Sequence, residues 1–152
     1  MIRVLIATII GATVASGQAS KLTPGQRQAI LDYPLSMQRA NQLIPAMEAM
    51  TKHVASLPDF KERMAKSAAM TSAERVAQME RDPEAMAILK RNNLTARDYL
   101  VGVPALRMAI LAAQGMKSDT IVASPANVDF AKANLAQLKP KMDAADGLVR
   151  PK

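Results

Sequence analysis

Cysteine and tryptophan are absent from the 152 residues, histidine occurs once, and two phenylalanines with two tyrosines are the whole aromatic complement. Without cysteine there can be no disulfide scaffold, no thiolate metal site and no cysteine nucleophile. The scarcity of aromatic residues argues against a β-sandwich or barrel, which draws on aromatic and β-branched side chains. A lone histidine excludes, within one chain, a three-histidine zinc site, a His-x-x-x-His helix and a two-histidine facial triad. Ser-His-Asp chemistry would have to run through His53, and no Gly-x-Ser-x-Gly segment accompanies it. What is abundant is alanine, leucine, methionine, glutamine, lysine and arginine, all helix formers. The composition therefore predicts an all-α protein, and the length allows one domain with a core of its own.

The first nineteen residues read as an address. Arg3 supplies a positive start, Val4 to Val14 form an uncharged and mostly apolar run, and Gly17-Gln18-Ala19 offers small residues where a signal peptidase reads. As a helix that run would rise only about 16 Å, roughly half a bilayer core, which disfavours a retained anchor. Cleavage is expected after Ala19, with Gly17 as the alternative. Since no cysteine follows, lipid anchoring is excluded. Residues 20–152 then form a single helical domain, one positive charge below the full chain's +7 because Arg3 is lost. A periplasmic location suits an exported chain without cysteine, and periplasm or secretion is the expected destination.

All nine prolines lie after the signal segment and punctuate the fold. Thr23-Pro24-Gly25-Gln26 reads as a capping box opening a short helix to about Asp32, which Tyr33-Pro34 ends. Ser36 can cap a second helix to about Ser56, with an apolar stripe of Met37, Ala40, Ile44, Met47, Met50 or Thr51, Val54 and Leu57, kinked at Pro45. Helices are expected over Phe60 to Ala69, from Thr71-Glu74 to Arg81, and from Asp82-Pro83 to Arg91. Thr95 opens the most apolar segment, Tyr99 to Met116, whose only charge is Arg107. A mid-helix arginine costs about 3 kcal/mol on membrane-insertion scales, and Gly102 and Pro104 weaken the helix further, so a central buried helix over about 96–114 is preferred to a membrane span. Gly115 is a candidate C-terminal cap. Ser124-Pro125 or Asn127 starts a last helix with Val128, Ala131, Leu135 and Leu138 on one face. Pro140 is expected to stop it, leaving a loose tail from about Asp143. The sum is a compact bundle of five to six short, proline-interrupted helices around the 96–114 segment.

The chemistry-bearing residues are few. Met47, Met50 and His53 stand three apart, so they could share a helix face and, as soft thioether and imidazole ligands, suit Cu(I). The same methionines fall on the apolar stripe, where methionine fills uneven gaps. Arg107, a lone charge in an apolar helix, either pairs with an acid from another helix or holds an anion in a small pocket near Tyr99. Glu80, Asp82 and Glu84 are the densest acids, and the latter two are placed to meet the positive end of a helix. The bases are scattered and no aromatic platform exists to stack bases, so no nucleic-acid partner is expected. Neither a cofactor nor catalysis is implied. A protein or envelope component is the partner class left open, with no stable membrane span once the signal is removed.

Leu22-Thr23-Pro24-Gly25-Gln26 resembles the Leu-Thr-x-x-Gln motif of Spy-type periplasmic chaperones, and Leu94-Thr95-Ala96-Arg97-Asp98 echoes its second copy with Asp98 in place of glutamine. That resemblance implies an ATP-independent holdase. Tyr33-Pro34-Leu35-Ser36-Met37, Asn93 to Tyr99 and Ser124 to Phe130, in this order, resemble small exported bacterial all-helical proteins of unknown function, which implies the fold and the location. The expected function is therefore an exported, non-catalytic binding or structural module, with a Spy-like holdase and a Met/His copper carrier as alternatives.

Overall fold

The computed structural model describes residues 22–147, so the expected signal segment and its expected cleavage after Ala19 lie outside the described residues. Within them the protein is all-α, with seven helices and no strand. These are α1 (Pro24–Asp32), α2 (Met37–Ala55), α3 (Phe60–Ala69), α4 (Ser72–Glu80), α5 (Pro83–Arg91), α6 (Ala96–Ala113) and α7 (Pro125–Gly147). The expected total was five or six, but the segments expected one by one number seven and all seven form, the stretch between Leu57 and Arg91 making three short helices as the sequence places them.

Most boundaries are set by local chemistry. Thr23, Thr71 and Thr95 each accept the N–H three residues on, while Gln26, Glu74 and Asp98 reach back to the cap's own N–H, completing three capping boxes. Asp82 caps α5 through Oδ1, which accepts from the N–H groups of Glu84 and Ala85 at 3.1 Å each. Asn93 takes the left-handed backbone at φ 54° in the turn between α5 and α6, a conformation asparagine tolerates. Gly115, at φ 82°, follows the end of α6.

Three prolines behave differently from the one that ends α1. Pro45 lies inside α2, Pro104 inside α6 and Pro140 inside α7, and none of these helices stops. The expectation that Pro140 ends the last helix is corrected: α7 runs on to Gly147, so residues 143–147 are helical rather than a loose tail. Pro140 is exposed, as is Ala136, whose carbonyl loses its N–H partner, so water can take the place of the missing bond. Beyond the proline, Met142 and Ala145 are buried and continue the face begun by Ala131 and Leu138. That burial favours continuing the helix despite the lost bond.

The apolar segment forms α6, which packs against α1, α2, α4, α5 and α7. It buries Tyr99, Gly102, Val103, Pro104, Leu106, Ala109 and Ile110 along with three further residues. α2 adds Ala40, Leu43, Ile44, Ala46, Met47, Met50 and Val54, and so bears out the stripe expected for it, apart from half-buried Met37, Thr51 and Leu57. Gly102 marks the closest approach: a methyl group there would stand 2.8 Å from the Tyr33 ring and hydroxyl and 2.9 Å from Leu43. Asn127 fastens the first turn of α7 to the α1–α2 link, donating to the Tyr33 carbonyl at 2.8 Å and accepting from Leu35 N–H at 3.1 Å. No helix of the described residues is long and apolar enough to cross a membrane.

Candidate functional site

At the C-terminal end of α2 the packing opens. α3 buries only Ser67 and α4 buries no residue fully, in contrast to α6. Both are charged, short helices whose apolar residues are too few to close the space against α2. Between them and α2, α5 and α6 lies a cavity of about 70 Å³. Its apolar wall comes from Met50, Val54 and Leu57 of the α2 end, Met79 of α4, Ala85 of α5 and Leu100 of α6. Arg63, Ser67, Arg75, Gln78 and Asp82 supply the polar side. An open groove adjoins it, sharing Leu57, Arg63, Gln78 and Asp82 and adding His53, Glu74 and Arg81 among others. The two form one cleft, apolar at its base and polar at its mouth.

The acids at this mouth are already engaged. Asp82 Oδ2 lies 2.8 Å from His53 Nε2 while Oδ1 caps α5, and since a carboxylate only accepts, the imidazole donates. Burial alone would raise the Asp82 carboxyl, but the bond from His53 and the N–H groups of Ala85 and Glu84 outweigh it and hold the group below the usual aspartate value. Glu74 accepts from Thr71 N–H at 2.7 Å, and its carboxyl is lowered chiefly by that bond. Asp59, just outside, takes the Arg63 Nε at 2.8 Å on both oxygens. Arg75 donates Nε to the Ser67 carbonyl at 3.1 Å, which ties α3 to α4. Neither Arg75 nor Arg81 stands in an ion pair among the described residues.

The residues singled out in the sequence are distributed differently. Arg107 Nη2 pairs with Asp146 Oδ1 at 2.6 Å and approaches the Met47 sulfur at 3.4 Å, while its Nε is buried without a partner. Tyr99 is fully buried, its hydroxyl also has no partner, and burial pushes that hydroxyl well above the usual tyrosine range, with only a partial counter-pull from the Arg107 charge. The wall that α6 gives to the cleft is Leu100, not Tyr99 or Arg107. Met47, Met50 and His53 are each turned to a different neighbour: the Arg107 guanidinium, the apolar wall and the Asp82 carboxylate. No group of three or more His, Asp or Glu side chains placed to hold a metal ion occurs among the described residues.

Met50, Val54, Leu57 and His53 are recognisable in the sequence by periodicity and Asp82 by its capping pattern. Arg63, Arg75, Gln78, Met79, Arg81 and Leu100 carry no such mark as functional residues. The available signal is the concentration of charge on α3 and α4, where a helix with little apolar surface must leave space beside a buried neighbour. Comparison with protein families, curated proteins and solved structures finds no match.

Proposed function

We propose that the chain is an exported, periplasmic, non-catalytic binding module that seats a small molecule with an apolar body in the cleft between α2 and α3–α5. The observation that supports this reading is the cleft itself, an apolar base of Met50, Val54, Leu57, Met79 and Leu100 that the protein's own helices leave unfilled. The compact bundle around α6 is the frame that holds three of its walls. Apolar surface next to an open groove favours a guest, each seated methylene contributing about 0.8 kcal/mol. The His53–Asp82 pair supports binding over catalysis, because Asp82 is spent on the α5 cap and no hydroxyl bonds the imidazole ring among the described residues.

The uncharged probe 1-octanol tests the cleft. Titrated into the ¹⁵N-labelled protein, it should shift the amide signals around Met50, Val54, Leu57, Met79 and Leu100 with saturation; shifts spread evenly over the helices, or none, would overturn the reading. Intact-mass measurement of the protein from a periplasmic extract tests export, the expected species beginning at Ser20. A chain retaining Met1 to Ala19 in the cytoplasmic fraction would reject it.

A further inference from the structure

We propose that the cleft selects for negative charge: its ligand class is a short or medium-chain amphipathic anion, of which an alkyl carboxylate is the simplest member. This rests on the binding reading above and adds the chemistry of the head group.

The charges still available at the mouth of the cleft are positive. Both oxygens of Asp82 are taken, one by His53 and one by the backbone N–H groups of α5. Glu74 is folded back on the Thr71 cap, and Asp59 holds Arg63. Arg75 commits only Nε, to the Ser67 carbonyl, which leaves both terminal nitrogens of its guanidinium without a hydrogen bond among the described residues. Arg81 has neither ion pair nor side-chain hydrogen bond there. Asp82 is therefore engaged on both oxygens and Glu74 is tied to its cap through Oε2, while the Arg81 guanidinium and the terminal nitrogens of Arg75 have no partner among the described residues. A planar guanidinium presents paired donors that match the two oxygens of a carboxylate or phosphate.

Size points the same way. The cavity, partly open and about 70 Å³, is roughly half the ~150 Å³ of an engineered cavity that admits benzene. It can take the end of an alkyl chain and no more, so the rest of the molecule must lie along Leu57 and Gln78 toward the groove, where Arg81 stands. A guest with its tail at Met50 thus runs past Arg75 on the cavity wall and has its head in the groove beside Arg81. Ser67 and Arg63 place α3 across the same mouth, and α3 has little burial to lose if a longer chain displaces it.

Three probes with one tail separate the head group from the pocket: octanoate, 1-octanol and octylammonium, each titrated by ¹H–¹⁵N correlation spectroscopy. Octanoate should bind about tenfold or more tighter than octanol, as a charge-assisted hydrogen bond allows, with octylammonium the weakest. Arg81→Gln, which removes no internal bond, should lower octanoate affinity severalfold and leave octanol unchanged, and R75Q combined with it should bring octanoate to the level of octanol. Equal affinity for the three, or a preference for octylammonium, would overturn the anion assignment and leave the cleft reading standing. No cleft shifts with any probe would remove both.

Discussion

α6 and α3 are both regular helices, yet they are held by opposite means. α6 begins with a capping box and then buries ten residues against five neighbouring helices. Its sequence contains Gly102 and Pro104, poor helix formers, so burial rather than propensity maintains it. α3 buries only Ser67 and is supported along its own surface by i,i+4 pairs, Arg63 to Asp59 at 2.8 Å and Lys66 to Glu62 at 2.7 Å. Exposed pairs of this kind contribute far less than a buried leucine. The difference shows that regular geometry and anchoring are separate properties. The cleft lies on the boundary between the two regimes, where a rigid wall from α2 and α6 meets helices that can yield.

The widest separation is expected from side-chain truncation. Leu106→Ala on α6 should cost about 2–5 kcal/mol in urea unfolding, whereas Met64→Ala, at a half-buried position of α3, should stay below about 1 kcal/mol. Equal losses would break the contrast. Next in size is Gly102→Ala: alanine is the better helix former, but its methyl would stand 2.8 Å from the Tyr33 ring and hydroxyl, so destabilisation of about 1–3 kcal/mol is expected. A gain in stability would mean that α6 is governed by propensity after all.

A smaller effect belongs to the cleft boundary. Asp82→Ala should cost about 1 kcal/mol through loss of the α5 cap. The carboxyl's folded value lies below aspartate's ordinary 3.8, so its contribution is present above that pH and is lost as pH falls through the lower folded value. The stability gap between wild type and the variant should therefore be full near about pH 6 and shrink toward about pH 2; a gap that grew on acidification would contradict the assignment. Smallest in global terms is Thr71→Ala, which should speed amide exchange across α4 while barely moving the unfolding midpoint. The matching Thr95→Ala should leave exchange in the middle of α6 unchanged, since that segment opens with the whole fold.

What can be read from the residues in order is whatever depends on neighbours along the chain. The caps at Thr23, Ser36, Thr71, Asp82 and Thr95 are encoded within four residues, and all appear where the pattern places them. The stripe on α2 and the burial of α6 follow from periodicity and composition. Pro140 escapes such a reading because a proline's effect depends on which way it faces: both it and Ala136 face solvent, a fact fixed by packing and not by local sequence. Asp146 as the partner of Arg107 escapes it for the same reason, since it lies beyond that proline. The cleft has no local signature because its lining comes from α2, α3, α4, α5 and α6, and a gap left by poorly fitting helices has no motif. His53 stands out by its rarity, but its partner Asp82 lies 29 residues away and is recognisable in the sequence only as a cap.

The Arg107–Asp146 pair also bears on how the protein ages. Asp146 sits near the end of α7, and it supplies the carboxylate bonded to a guanidinium that is 21% exposed and whose Nε already lacks a partner. An exopeptidase that passes this residue leaves a half-buried charge uncompensated at the edge of the core. Removing Met142 as well exposes the core that α7 covers. Limited carboxypeptidase digestion followed by mass spectrometry should accordingly accumulate no species ending between residues 125 and 145. Loss of Asp146 is thus expected to cost the fold more than the last turn of the helix it belongs to.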